Sequence, residues 1–269
     1  MTGFRFSGRT PRRLTPNRLA AARARQGDEV IDLGVSNPTR CGLPYPSDLL
    51  APLSDPAGLD YRADPRGPDP AREAVAAGYR RRHAVVDPAS VVLTASTSEA
   101  YSLLFKLLCD PGDTVLVPTP SYPLFGQLSR LDAVRTHRVD LRPDDDWRLD
   151  LDSLSGAPEN TRAVILVHPN NPTGSHIHPD DATAIGTLCR ERDWALIVDE
   201  VFLPDVLDGG PGSDITFAGS NRCLTFALGG LSKSIGLPQL KLAWIVTGGP
   251  DETVASVAEG LEYVSDAYL

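Results

Sequence analysis

ALIVDEVF, residues 195–202, sets four apolar residues before two carboxylates. A short apolar run of this kind reads as a strand buried on both faces, and such strands belong to parallel sheets covered by helices. An acid at its end is a physical problem, because a buried carboxylate without a partner is costly. Working outward, the same kind of run recurs as VVLTA (91–95), TVLVP (114–118), AVRTHRV (133–139), AVILVH (163–168), CLTFAL (223–228) and LAWIVT (242–247). Helical stretches lie among them: AREAVAAGYRRRH (71–83), SEAYSLLFKLLC (98–109), DDATAIGTLCRER (180–192) and the final DETVASVAEGLEYVSDAYL (251–269). Strands alternating with helices predict an α/β fold with a mainly parallel sheet covered on both faces. EVIDLGV (29–35) reads as an earlier strand, and Thr15-Pro16 as the start of a helix over NRLAAARARQ.

The bulk numbers set bounds. With 269 residues, 41% hydrophobic and 23% charged, the chain has the composition of a globular protein with one large core or two smaller ones. A net charge of -9 and a pI near 5.0 argue against general nucleic-acid binding. Cys41, Cys109, Cys189 and Cys223 lie far apart without metal-ligand spacing, so free thiols in a reducing cytoplasm are expected, buried in the case of Cys109 and Cys223. No apolar run is long enough for a membrane helix, and no signal-peptide core follows the start. Residues 1–27 carry seven arginines and no acid, which suits a structured basic arm better than a transit peptide.

In a parallel α/β sheet, ligands bind beyond the carboxyl ends of the strands. Those ends here are TAS-TSEA, PTPSYP, HPNNPTG, DEVF and GGLSKS, offering hydroxyls, an aromatic, an amide, a carboxylate and an amine. The amine stands out, since Lys106, Lys233 and Lys241 are the only lysines among 26 basic residues. A guanidinium cannot be deprotonated in proteins, whereas an amine can form an imine with an aldehyde. Taken alone, Asp199 better fits a strand-end cap or an arginine partner, and Asn171 a simple turn. A protonated pyridine nitrogen would also satisfy Asp199, and Asn171 could donate to a phenolic ring oxygen.

In combination, NNPTG, then VDEVF, then SKSIGLPQLKLAW, together with the upstream YRADPRG, TASTSEA and DPGDTVLVPTPSYP, resemble the class I/II aminotransferase family over roughly residues 28–269. That resemblance implies a three-layer αβα large domain of the pyridoxal-phosphate transferase fold type I, with the cofactor pyridoxal 5'-phosphate. It implies that Lys233 carries the cofactor as a Schiff base and shuttles a proton, and that Asp199 holds the pyridine nitrogen protonated. Asn171 would contact the ring oxygen and Tyr122 would stack on the ring. Ser96, Thr97 and Ser98, at a helix N-terminus, would cradle the phosphate with Ser232 and Lys241. Tyr61 would reach the phosphate of a neighbouring subunit, which makes a homodimer part of the expected site. The domain boundaries that follow are 1–44 for an N-terminal arm with a small-domain segment and 45–269 for the cofactor-binding domain.

Several positions depart from the family pattern. Phe202 stands where a tyrosine also bonding the ring oxygen is common, so the imine should stay protonated closer to neutral pH. Gly230 stands where a phosphate-binding serine is common. The C-terminal small domain, which would supply an arginine for the substrate carboxylate, is expected to be missing. The activity implied is transfer of an amino group between an amino acid and a 2-oxo acid. The alternatives are a lyase or decarboxylase on the same scaffold, or a cofactor-binding remnant without turnover of its own. His168, His176 and His178 read as solvated loop histidines and not as a metal site, and Lys106 as a solvated helix residue.

Overall fold

A computed structural model describes residues 5–11, 18–26, 31, 37–205 and 211–269. The expected strand over 29–35 and the start of the first helix fall largely outside the described residues; Ile31 is exposed. The strands are β1 (Val91–Thr94), β2 (Thr114–Thr119), β3 (Arg135–Arg142), β4 (Arg148–Leu149), β5 (Thr161–Val167), β6 (Ala195–Asp199), β7 (Thr225–Gly230) and β8 (Ala243–Gly248). The helices are α1 (Arg18–Gln26), α2 (Asp69–Arg80), α3 (Thr97–Leu108), α4 (Phe125–Leu131), α5 (Pro179–Glu191), α6 (Leu231–Ser234) and α7 (Asp251–Asp266). Among the described residues the strands form one sheet in the order β1-β8-β7-β6-β5-β2-β3-β4.

The centre of that sheet, β7-β6-β5-β2-β3, is parallel, while β8 runs antiparallel between β7 and β1. Alternate residues of each strand point to opposite faces, and in β2, β5, β6 and β7 both faces are buried, whereas β3 is largely exposed. On one face Val115, Val117, Ile165, Ile197 and Phe226 pack under α3, with Leu261 of α7 in the same cluster. On the other, Leu116, Val164, Leu166, Leu196 and Val198 pack with Ile185 and Cys189 of α5. Farther along that second face, Val91, Ala227 and Val246 meet Ala76 and Tyr79 of α2. Burial on two faces is why these strands are uniformly apolar in sequence instead of alternating.

The seven apolar runs all become strands, with shifts at their ends. β3 begins two residues later than the run AVRTHRV because Ala133 has a left-handed backbone (φ 61°) that ends the preceding turn. β7 extends through Gly229 and Gly230 because both pair with β8, opposite Trp244 and Ala243. Three elements have no strong sequence signal: the two-residue β4, the seven-residue α4 and the four-residue α6. Cys223 and Cys189 are buried as free thiols, but Cys109, expected to be buried, is only half-buried at the end of α3.

Candidate functional site

Five polar strand ends reach one edge of the sheet. β2, β5, β6 and β7 are parallel and adjacent, so Tyr122, Asn171, Asp199 and Lys233 follow their carboxyl ends on the same side. β1 runs in the same direction and delivers Ser96, Thr97 and Ser98 to the start of α3. β8 runs the other way, so its beginning lies at that edge too. Gly230 pairs with Ala243, and Lys241 stands two residues before it. The Thr119–Pro120, His168–Pro169 and Asn171–Pro172 bonds at this edge are cis.

Asp199 is the chemical centre of the arrangement. It is 5% exposed, and its oxygens accept one hydrogen bond each: Oδ1 from the Val201 amide at 3.1 Å, Oδ2 from the Tyr101 hydroxyl at 3.1 Å. Both donors are uncharged, and among the described residues no cation forms an ion pair with it. Burial pushes its pKa up to about 6, against the two hydrogen bonds and the more distant charge of Lys233, which pull it down. Glu200, the next residue, points to the other face. It accepts from the Thr216 hydroxyl at 2.7 Å and the Phe217 amide at 2.6 Å, and burial pushes its pKa up to about 7.

Lys233 sits on the one-turn helix α6, with its ammonium 5.4 Å from the centroid of the Phe202 ring. That separation is within range of a cation–π attraction. Phe202 therefore faces the amine, from the turn that follows Asp199. The turn after Lys233 is fastened from a distance: the Tyr45 hydroxyl donates to the Gly236 carbonyl at 2.7 Å. Gly236 has φ 66°, and a Cβ there would lie 2.6 Å from that same hydroxyl oxygen, so the contact requires glycine. Gly230 has a related explanation. A Cβ would lie 3.0 Å from the Ala243 Cβ and 3.2 Å from the Leu242 carbonyl, so a serine would crowd the pairing with β8.

Ser96 caps α3, its hydroxyl accepting from the Glu99 amide at 3.1 Å, while Glu99 accepts from the Ala95 amide at 2.5 Å. This is a variant of the reciprocal serine–glutamate cap. The amides of Thr97 and Ser98 find no acceptor among the described residues, so they remain available to an anion at the positive end of the helix. Asn171 is half-buried, and its side-chain amide makes no hydrogen bond among the described residues. Its neighbour Asn170 is buried and fully used: Nδ2 donates to the Pro120 carbonyl at 3.1 Å and to Thr173 Oγ1 at 2.8 Å, while Oδ1 accepts from Ser121 at 3.3 Å.

Tyr122 lies on the turn from β2 into α4, edge-on to Phe125 at 5.7 Å. Lys241 is exposed, with a left-handed backbone (φ 52°) that ends the turn before β8. Ser232 lies half-buried beside Lys233. Tyr61 is 78% exposed.

Two expectations are corrected here. His168 is not a solvated loop histidine: it is fully buried at the end of β5, accepting from the Ile177 amide at 3.0 Å and bonded to the Ile215 carbonyl at 3.1 Å. That pairing requires the neutral ring, and burial pushes its pKa down to about 4. Lys106 is not free in solvent either; it pairs with Asp132 and donates to Ser102 Oγ at 2.6 Å.

Residues 51–268 match the family described as aminotransferase class I and II. The chain belongs to that family. Glutamate-pyruvate aminotransferase AlaA of Escherichia coli is 26% identical over 248 residues, which cover 91% of this chain and 61% of the relative. S-alkyl-thiohydroximate lyase SUR1 of Arabidopsis thaliana is 28% identical over 207 residues, covering 73% of this chain and 44% of the relative. Among solved structures, alanine aminotransferase from Pyrococcus furiosus superposes with a TM-score of 0.80 at 25% identity, covering 91% of this chain and 63% of that one. This aminotransferase-family chain thus spans about three fifths of the length of the aminotransferases it matches.

Proposed function

We propose that this chain is the cofactor-binding part of a pyridoxal 5'-phosphate-dependent aminotransferase that moves an amino group between an amino acid and a 2-oxo acid. The observation that carries this is Asp199, a buried carboxylate at a strand end with two uncharged donors and no ion pair among the described residues. A pyridinium nitrogen is the kind of partner such a carboxylate lacks. When bound, pyridoxal phosphate supplies an aldehyde for an amine and a ring that draws in the electron pair left on a substrate's α-carbon.

The chain's own residues divide the remaining work. Lys233 is the amine, and Nζ is the atom that would take the α-proton of an amino acid and return it. Phe202 flanks that amine with an apolar ring, so water has less access to Nζ. Asp199 would keep a proton on the ring nitrogen, Asn171 would donate its unused amide to the ring oxygen, and Tyr122 would cover the ring's face. The free amides of Thr97 and Ser98, with Ser96, Ser232 and Lys241, would hold the phosphate. Lys241 does so as a point charge and not as a bidentate fork.

A homodimer in the cytoplasm fits the same picture. Tyr61 is exposed on its own chain, as a residue reaching a partner's phosphate must be, and the four cysteines are unpaired. The cofactor-binding unit would be residues 45–269, with 1–44 as arm and small-domain segment.

A second reading has one specific support, the likeness to a lyase. Proton removal at Lys233 serves either outcome, because which bond breaks next depends on how the rest of the substrate is held. The test adds pyridoxal phosphate to the purified chain, looks for visible absorbance, and then adds a panel of amino acids. Absorbance in the wild type and none in Lys233→Ala is expected, with a 2-oxo acid as product. The same absorbance in both proteins would sink the assignment. Absorbance that no amino acid perturbs would mark a cofactor-binding portion without turnover of its own.

A further inference from the structure

Tyr101 lies on the face of α3 that packs against the sheet, among residues that are otherwise purely apolar. It is 1% exposed, and its ring is held edge-on by Phe125 at 5.2 Å and tilted against Phe105 at 6.1 Å. Phenylalanine would fill such a place at lower cost, because a buried phenol hydroxyl must find an acceptor. The acceptor here is Asp199 Oδ2, 98 residues away in sequence. Phe125 also holds Tyr122 edge-on, so one connected aromatic group joins the carboxylate to the tyrosine expected over the cofactor's face.

We propose that Tyr101 is a positioning residue for Asp199: its hydroxyl fixes the rotation of the carboxylate and makes Oδ2 a weaker base toward the cation the site receives. That the cation is a cofactor's ring nitrogen rests on the function proposed above; the effect on Asp199 itself does not. The Val201 amide holds Oδ1 from the backbone of the same turn, which alone leaves the carboxylate free to pivot about that bond. The phenol holds the second oxygen from a different element, and two fixed donors define the plane. The lone pair of Oδ2 that Tyr101 occupies is no longer open to another donor.

Other titratable groups influence Asp199 through space, and none of them bonds it. Tyr122 lies in the β2–α4 turn and Lys233 on α6, while Tyr79 of α2 and Glu200, the residue just past the end of β6, lie toward the other face of the sheet. These act through space and stay in place when the Tyr101 hydroxyl is removed. Tyr101→Phe therefore isolates one hydrogen bond, keeping the ring and its packing.

The experiment uses the whole chain without cofactor, labelled with ¹³C at the aspartate carboxyl carbons, with Asp199→Asn identifying the Asp199 signal. In the wild type the titration midpoint is expected near 6. In Tyr101→Phe it should rise by about one pH unit, because a donor to the charged form has been lost. Site-specific 3-fluorotyrosine at position 101, nearly the same shape and a stronger donor, should lower it. Opposite shifts from two nearly isosteric changes cannot come from loosened packing. A midpoint unmoved by either change overturns the proposal, whether or not the protein takes up pyridoxal phosphate. A wild type that takes up none overturns the functional reading and leaves this titration intact.

Discussion

At the scale of single residues, the site is marked by groups whose burial works against their charge. Asp199 would be expected to ionise near 3.8, and burial pushes it up to about 6. The folded chain therefore binds a proton at Asp199 more tightly than the unfolded chain does. By linkage, this residue's contribution to stability declines as pH rises from about 4 to about 6 and is constant above that. Asn has the same shape, can still accept from Val201, and does not ionise. Asp199→Asn should thus stabilise the cofactor-free protein by up to about 3 kcal/mol at pH 8, with the gain shrinking toward zero near pH 4. Urea unfolding of both proteins at the two pH values checks this. A variant less stable than wild type at pH 8 would mean that the carboxylate is already compensated in the empty site. His168, with its lowered pKa, has the opposite pH dependence, but it is common to both proteins and cancels in the difference.

At the scale of elements, what the sequence made legible was whatever depends on neighbours along the chain. Strands buried on both faces appear as unbroken apolar runs, and the residues that contradict their surroundings, Asp199 and Lys233, stand out by type. What stayed hidden depends on contacts across the fold. Tyr101 looks like any core residue of α3 until Asp199 is seen opposite it, and Asn170 looks like a second turn asparagine until it bridges two strand ends. The paired glycines at the end of β7 belong to the same class. A Cβ on Gly229 would lie 2.5 Å from Trp244 Nε1, the atom that donates to the Tyr79 hydroxyl at 3.2 Å. Gly229→Ala must displace the indole and break that bond, tying the end of β7 less firmly to β8 and α2. A loss of about 1–3 kcal/mol is expected, and hence a melting temperature lower by several degrees. Near-UV circular dichroism should change with it, since few other tryptophans contribute. Unchanged melting and an unchanged tryptophan signal would show that the strand pair has room to spare.

For the whole molecule, the telling feature is a stretch that folds back on little of its own chain. Between residues 43 and 61, Leu43, Leu50, Leu53, Leu59 and Tyr61 are all exposed, Leu59 at 90%. Single exposed leucines are ordinary, but this density of exposed apolar side chains in so short a segment is what a surface that another chain covers would present. The segment is held in short turns, with Asp55 capping one by accepting from the Ala57 amide, so its shape is defined while its apolar side chains stay uncovered. Among the described residues, Tyr45 ties it to the site by bonding the turn after Lys233. A second copy of the chain covering this surface would bury the leucines and carry Tyr61 toward a neighbouring site at the same time. Replacing Leu53 and Leu59 together with aspartate sets charge where apolar area would be buried, which should shift a dimer to monomer in sedimentation at micromolar concentration. Because neither residue is buried in the protomer, far-UV circular dichroism should not change. If Tyr61 acts across the interface, the same double variant should also bind pyridoxal phosphate more weakly, although both leucines are remote in sequence from Asp199 and Lys233. Weaker binding in a protein that remains dimeric would place the defect within the protomer, and a monomer that binds as tightly as wild type would show that each site is complete on its own chain.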